Sequence, residues 1–168
     1  MLAHSLRRVG LAAVAGLALL LAGCAYPTQF KPGDTEAQVQ AKLGPPSATV
    51  PLPGGGQRLT YTTQPMGREA FQLSFDAGGR LLKTEQVLTA ERFGAIPMGQ
   101  YTVQQLLQDF GPPMEITGVY SFDGRIYTYR LWQDNIKRLA HVHVDPQGVA
   151  RRLMFTDEPM PEPRDPGK

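Results

Sequence analysis

The chain has 168 residues, of which 42% are hydrophobic and 19% charged, with 17 Lys and Arg against 15 Asp and Glu. This composition is typical of a globular protein with one domain of ordinary size or two small ones. It lacks the clustered Lys and Arg of a nucleic-acid-binding protein, and a single cysteine excludes an internal disulfide framework.

Residues 1–23 have the layout of a secretory signal peptide. Arg7 and Arg8 precede an apolar run over residues 11–21, and small residues follow. The run is much shorter than the roughly 20 apolar residues that span a bilayer. The tetrapeptide Leu21-Ala22-Gly23-Cys24 resembles the lipobox of bacterial lipoproteins, in which the cysteine is acylated and becomes the first mature residue. The alternative is an ordinary secretory signal with a chance cysteine.

Removal of the signal changes the charge balance. Arg7 and Arg8 leave with it, so 15 basic and 15 acidic residues remain and the formal net charge is zero. Membrane attachment would then come from covalent lipid on Cys24, because no excess of basic residues is left. Lipoproteins of the resembled type with Asp after the cysteine are commonly retained in the inner membrane, so Ala25 favours the outer membrane. Residues 24–32 would tether the domain to the lipid.

Three sequence blocks occur twice in the same order. The spacing is 67 residues from Thr35 to Thr102 and grows to only 69 residues in the last block. The matched blocks are residues 33–46 and 99–113, 59–61 and 127–129, and 75–79 and 144–148. Composition explains one chance Gly-Pro-Pro match but not an ordered series, which indicates an internal duplication.

Each copy opens with a predicted helix of about nine residues. Thr35 and Thr102 are each followed three residues later by Gln, which is the capping-box pattern. Gly44 and Gly111 would end the helices, because glycine adopts the left-handed conformation and the following prolines prevent continuation. The second copy carries an apolar stripe at helical spacing, formed by Val103, Leu106, Leu107 and Phe110.

The rest of each copy alternates as β-strands do. Residues 71–75 and 140–144 alternate apolar and polar side chains and end in Gly-containing turns. Asp123-Gly124 predicts a hairpin turn between residues 120–122 and 125–132. The last strands are predicted at residues 80–88 and 149–155.

The predicted fold class is α+β, with two tandem repeats that each pack a short helix, or a helix pair, on a three- to four-stranded antiparallel sheet. Unit one spans residues 33–90 and unit two residues 91–156. Residues 157–168 contain four prolines and are expected to form a disordered tail.

The opening block of unit one resembles the motif of the SmpA/OmlA (BamE-like) outer-membrane lipoproteins. Residues 59–61 and 71–79 are similar to that family's aromatic strand and to its apolar strand with a Phe-Asp-x-x-Gly turn, although Leu59 stands where an aromatic residue is usual. The motif residues are Phe30, Gly33, Thr35, Val39, Leu43, Gly44 and Pro46. Family members usually have one unit; two tandem units are similar to the β-lactamase-inhibitor-protein group, whose repeats present a concave sheet to a partner.

No motif of known catalytic chemistry was found in the sequence, such as a nucleophile elbow, a His-Glu-x-x-His zinc site or a phosphate loop. Cys24 cannot act as a nucleophile once its sulfur is alkylated. His141 and His143 point to one face of a strand and could bind metal with Asp134 or Asp145, but two solvated histidines are the favoured interpretation. We therefore expect a protein that is not an enzyme, with no metal and no cofactor other than the lipid at Cys24.

The alternation predicts a binding face on unit two. If Tyr127, Tyr129, Ala140, Val142 and Val144 face the helix, the opposite face of the sheet is the candidate partner-binding face. Its residues are Thr128, Arg130, Trp132, His141 and His143. Trp and Arg are enriched at binding hot spots. The alternative is that Trp132 lies in a core between the units. The same reasoning turns Thr60, Thr62, Gln72 and Ser74 of unit one outward.

The resemblance implies a lipid-anchored outer-membrane protein that faces the periplasm and acts by protein binding. Its expected role is that of an accessory factor in outer-membrane protein assembly or envelope maintenance. Its expected partners are outer-membrane lipid, through acylated Cys24, and the outer-membrane assembly machinery, with no nucleic acid and no small-molecule substrate. The alternative function is inhibition or regulation of a periplasmic enzyme through a concave sheet face.

Overall fold

The computed structural model describes residues 25–159. The predicted signal at residues 1–23, the predicted lipidation site Cys24 and residues 160–168 of the predicted tail lie outside the described residues.

Unit one is a helix packed on a four-stranded antiparallel meander. A 3-10 turn at Pro27–Gln29 precedes helix α1 (Glu36–Leu43). Each strand pairs with the next one along the chain. The strands are β1 (Ala48–Pro51), β2 (Gln57–Thr62), β3 (Ala70–Phe75) and β4 (Leu81–Gln86). One face of this sheet packs on α1 through Val39 and forms a separate core cluster.

Unit two repeats this arrangement with one additional helix. Helices α2 (Ala90–Gly94) and α3 (Val103–Phe110) precede a second four-stranded meander. Its strands are β5 (Glu115–Val119), β6 (Phe122–Gln133), β7 (Ile136–Val144) and β8 (Ala150–Asp157). The predicted α+β fold with two tandem units is confirmed.

The two equivalent helices begin in the same way. The hydroxyl of Thr35 accepts the backbone N–H of Gln38 at 3.2 Å, and the Gln38 side chain accepts the N–H of Thr35 at 2.8 Å. Thr102 and Gln105 make the same two bonds at the same distances. Both predicted capping boxes are therefore formed, and each satisfies two backbone donors that the first turn would otherwise leave free.

The two helices also end in the same way. Gly44 and Gly111 have φ of 78° and 77°, a conformation that favours glycine. The hydroxyl of Tyr61 donates to the carbonyl of Gly44 at 3.1 Å, and that of Tyr129 donates to the carbonyl of Gly111 at 3.0 Å. A strand residue of each unit thus satisfies a carbonyl at the end of its own helix.

The fold prediction allowed a helix pair in each unit, but no residues were assigned to helix α2. The side chain of Thr89 caps it, and its Phe93 ring stacks on Phe110 with ring centroids 4.2 Å apart. The predicted boundary between residues 90 and 91 falls inside this helix. Phe93 is buried in the core of unit two, where it also contacts Tyr129. Residues 89–94 therefore belong to the second unit.

The turn predicted at Asp123-Gly124 is wrong. Both residues lie inside β6, and the hairpin turns instead at residues 120–121. A Cβ atom on Gly124 would lie 2.2 Å from the carbonyl oxygen of Val144, and one on Gly56 would lie 2.1 Å from that of Phe75. Glycine is needed at both equivalent positions because a neighbouring strand approaches closely.

The polar face of sheet one is buried rather than turned outward. Thr60, Gln72 and Ser74 are almost completely inaccessible. The Gln72 side-chain amide donates to the carbonyls of Gln108 and Asp109, in the last turn of α3, at 3.1 and 2.9 Å. The expectation that this face is exposed was wrong, because helix α3 of the second unit lies against the face.

Helix α3 therefore lies between the two sheets. Its buried residues Leu106 and Phe110 pack on sheet two, while Asp109 forms an ion pair with Arg58 of sheet one at 2.9 Å. Ala70 of sheet one belongs to the same core cluster as Leu106. The order of layers is α1, sheet one, α2 with α3, and sheet two.

Both ends of the described chain are part of the fold. Pro27 and Phe30, in the predicted tether, are buried. Asp157, expected to begin the disordered tail, is the last residue of β8. The N–H of Glu158 donates to the carbonyl of Lys137 at 2.9 Å. The ordered strand extends to Asp157 because β7 offers it a partner.

Leu106 and Leu107 provide a matched test of this layering. Leu106 is fully buried between the sheets and Leu107 is exposed. We expect Leu106→Ala to lower the free energy of unfolding by about 2–5 kcal/mol, since it removes buried methyl groups and leaves a cavity. Leu107→Ala should change it by much less. Urea denaturation of both variants measures the difference, and equal losses would contradict the layering.

Candidate binding surface

The five residues of the predicted face do share one side of sheet two. Thr128 pairs with His141 across β6 and β7. Arg130 and Trp132 follow Thr128 at two-residue spacing on β6, and His143 follows His141 on β7. The side chains of β6 on the opposite side, Tyr129 and Leu131, lie in the core. The alternation argument therefore assigned the face correctly.

The expectation that all five residues are accessible is wrong for Thr128 and His143. Thr128 is 1% exposed and His143 is 7% exposed. Both lie on the central strands of the sheet, between longer neighbouring side chains. A partner on this face would contact those neighbours rather than Thr128 or His143.

The imidazole of His141 is held by two hydroxyl groups from the adjacent strands. Its Nδ1 lies 3.1 Å from Oγ1 of Thr128 and its Nε2 lies 2.9 Å from Oγ1 of Thr156. A hydroxyl can donate or accept, so both ring nitrogens of a neutral imidazole are satisfied. Burial lowers the pKa of His141, and the carboxylate of Glu115 opposes this only in part. The geometry holds the ring in place and favours its neutral form.

His143 is enclosed differently. The Phe122 ring packs edge-on against it with centroids 5.0 Å apart. Its Nδ1 is buried without a hydrogen-bond partner among residues 25–159. Burial, followed by the positive charge of Arg152 and the neighbouring His141, lowers the pKa of His143. The interpretation of two solvated histidines is therefore wrong for His143, while His141 remains partly exposed.

Arg130 lies at the contact between the two units. Its Nε lies 3.0 Å from Oε1 of Glu158, and its guanidinium donates to the carbonyl of Pro65 at 2.6 Å. The other carboxylate oxygen of Glu158 pairs with Arg68. Arg68 and Pro65 belong to the loop between β2 and β3, residues 63–69, so these charges attach unit one to the end of sheet two.

Trp132 lies over this cluster. The guanidinium of Arg68 is 5.1 Å from the centroid of the indole ring, within the range of a cation–π contact. The side chain is 46% exposed and belongs to neither core cluster. Trp132 therefore contacts unit one without being part of an inter-unit core.

The equivalent face of sheet one packs against a helix. Thr60 and Gln72 pair across β2 and β3, as Thr128 and His141 pair across β6 and β7. In unit one this pair is covered by α3. In unit two the equivalent face is uncovered, because the helices within residues 25–159 direct their buried side chains into the two cores. Sheet two therefore presents the face that receives a helix in unit one.

Three further residues of this face were not predicted from the sequence. Met154 pairs with His141, Arg152 with His143, and Glu115 with Thr128. Arg152 and Glu115 are exposed and Met154 is half-buried. The alternation within residues 150–157 could have identified Arg152 and Met154 once β8 was placed in register with β7.

The proposed third metal ligands lie elsewhere. Asp145 pairs with Arg151, with Nε and Oδ2 2.5 Å apart, and Asp134 lies in the turn between β6 and β7. Within residues 25–159 no three His, Cys, Asp or Glu side chains are grouped closely enough to hold a metal ion.

In the same part of the chain, no helix combines the length and apolar composition that crossing a bilayer requires.

Comparison with protein-family models gives no match to this sequence, and comparison with curated proteins gives none either. Among solved structures, the chain has a distant similarity to YjgB, a DUF4309 family protein from Bacillus subtilis. The sequence identity is 18% and the TM-score 0.32, over 74% of this chain and 79% of that one.

The histidine environment predicts a loss of stability in weak acid. The pKa of both His141 and His143 is lowered in the folded state, so the unfolded chain, with histidine near about 6.5, binds more protons. The free energy of unfolding should therefore fall as the pH falls from 7.5 through 6.5. Urea titrations at several pH values measure this.

The double variant His141→Gln, His143→Gln is the control. Its stability should be nearly flat over the same range, because the lowered pKa values of Glu85 and Asp145 affect stability only at more acidic pH, near and below the usual carboxyl pKa. An unchanged slope in the double variant would rule out the histidines as the cause.

Glu158 and Asp157 test the inter-unit charge cluster. The Glu158 side chain is largely buried between Arg68 and Arg130, while that of Asp157 is mostly exposed beside Arg138. We expect Glu158→Gln to destabilise the protein by about 1–3 kcal/mol, because two enclosed guanidinium groups lose their counter-charge. Asp157→Asn should have little effect. Equal unfolding midpoints for the two variants would contradict this role.

Proposed function

We propose that this protein is anchored by lipid on Cys24 to the periplasmic face of the outer membrane and acts by binding another protein. Its role is that of an accessory factor in outer-membrane protein assembly or envelope maintenance. The anchor is supported by the lipobox-like tetrapeptide at residues 21–24 behind an apolar run. Several acyl chains bind a bilayer firmly where one does so only marginally.

The observation that carries the binding role is the difference between the equivalent faces of the two sheets. The face of sheet one is buried under α3, and its Gln72 amide donates to helix carbonyls. The face of sheet two keeps Arg152, Met154 and His141 accessible, at least in part. A sheet face that packs on a helix in one unit is suited to pack on a partner in the other.

The chemistry of this face favours recognition over catalysis. His141 is held by Thr128 and Thr156, but Thr128 is too deeply buried to attack a substrate. Among residues 25–159, no carboxylate lies within hydrogen-bonding distance of the ring to orient it, as a nucleophile–base pair requires. The mixture of cationic, apolar and hydrogen-bonding groups is that of a protein interface.

In-cell photo-crosslinking from position 152 tests the proposal. Arg152 is exposed on the open face of sheet two, so a photoreactive residue there should yield adducts with the partner without disturbing the fold. Leu82, exposed on β4 of unit one, is the control position. We expect adducts with outer-membrane assembly components from position 152 and few from position 82, identified by mass spectrometry.

Other outcomes separate the alternatives. Adducts from position 152 with a periplasmic enzyme would place the protein among inhibitors or regulators that act through a sheet face. Equal adduct yields from both positions would contradict a binding role for this face.

A further inference from the structure

The predicted tether is packed on unit one rather than free. The Tyr26 ring lies edge-on against Phe71 with centroids 5.3 Å apart, and its hydroxyl donates to Glu69. Pro27 and Phe30 are buried. Cys24 is only two residues before Tyr26 in the sequence, so the proposed lipid is attached two residues from this docked segment. A lipid on Cys24 would hold this part of the fold close to the bilayer.

One corner of the molecule surrounds this attachment point. Tyr26 contacts Glu69, at one end of the 63–69 loop, and Arg68 of the same loop lies against Trp132. The hairpin after Trp132 turns at residues 134–135 and leads to Ile136, which pairs with Gln133. Trp132 and Ile136 therefore lie on opposite faces of the same hairpin tip. We call Tyr26, Met66, Trp132 and Ile136 the anchor corner.

The anchor corner has the composition of a membrane-interface surface. Met66 is 78% exposed, and Tyr26, Trp132 and Ile136 are exposed as well. Tyr and Trp are enriched where bilayer hydrocarbon meets water, because each ring combines an apolar body with a polar group. Nearby Arg68 is already paired with Glu158, while Asp134 and Lys137 are exposed at the same hairpin tip and would lie at the level of the lipid head groups.

Two other exposed apolar residues, Tyr120 and Leu82, lie far from this corner. Tyr120 is fully exposed in the turn before β6, while Trp132 is near the other end of that strand. At about 3.3 Å per residue the two are separated by about 35–40 Å. Leu82 lies at the end of β4 away from the 63–69 loop, since β3 begins at Ala70 beside the loop and pairs with β4 in antiparallel register. A membrane contact at the anchor corner therefore leaves these residues in water.

We propose that the anchor corner docks on the lipid surface, inserting Met66, Trp132 and Ile136 at the interface so that the fold has a fixed orientation on the membrane. This inference rests on the proposed lipid anchor at Cys24. The contacts of Tyr26 with Glu69, and of Arg68 with Trp132, connect the lipid-bearing segment to the residues that insert.

Trp132 reports on this contact directly, because it is the only tryptophan in the chain. The experiment uses the acylated protein in vesicles of phosphatidylcholine and phosphatidylglycerol, with and without bromine on the upper part of the acyl chains. We expect brominated lipid to reduce Trp132 emission at least about twofold, because interfacial insertion reaches about 5–10 Å into the boundary between head groups and acyl chains. Flotation of the same samples measures anchoring independently.

Matched variants locate the contact. In Trp132→Phe, Tyr120→Trp the reporter moves to the opposite end of β6, and brominated lipid should leave its emission unchanged. Met66→Asp should reduce the quenching of Trp132, whereas Leu82→Asp, an equivalent change at an exposed residue away from the corner, should not.

The outcomes separate this inference from the proposed function. Protein that floats with vesicles while Trp132 keeps its full emission would overturn the docking and leave the lipid anchor intact. Quenching at position 120 in place of 132 would overturn it as well. Protein that does not float would overturn the anchor itself, and the docking with it.

Discussion

The placement of helix α3 between two sheets determines most other features of this structure. One side of α3 supplies Leu106 and Phe110 to the core of unit two. Its last turn offers the carbonyls of Gln108 and Asp109 to Gln72 of unit one. A helix normally leaves its final carbonyls without intrahelical partners. Here the Gln72 side chain from the other repeat satisfies two of them, so its amide can be buried without a large desolvation cost. On the same face, Oγ1 of Thr60 is buried without a hydrogen-bond partner among residues 25–159.

This arrangement makes two similar units unequal. The first sheet is covered on both faces, by α1 and α3. Within residues 25–159, helices cover only one face of the second sheet. The open face is not uniformly accessible, because Thr128 and His143 lie beneath their neighbours. The 63–69 loop reaches the end of that sheet through Arg130 and Trp132. The proposed partner-binding region in the middle of the sheet and the proposed membrane contact at its end therefore occupy different parts of the molecule.

What could be predicted from the sequence depended on local interactions. The capping boxes at Thr35 and Thr102 involve residues three positions apart, so the pattern determines the structure. Strand alternation likewise assigned the five candidate residues to one face. The burial of Thr128 could not be predicted, because it depends on side chains from the neighbouring strands β5 and β7. Gly124 was misinterpreted because its role, to admit the Val144 carbonyl, is a contact between distant residues. The helix at Ala90–Gly94 is too short for apolar periodicity to reveal.

The shared helix also bears on how the protein unfolds. Two tandem domains joined by a linker can each melt without the other, and each then has its own stability. Here the loss of sheet two would remove the support of α3 and expose Thr60, Gln72 and Ser74 of sheet one without their covering. The loss of sheet one would remove Ala70 from the core of unit two and leave a gap there. The duplicated units should therefore behave as a single cooperative folding unit despite their repeated sequence.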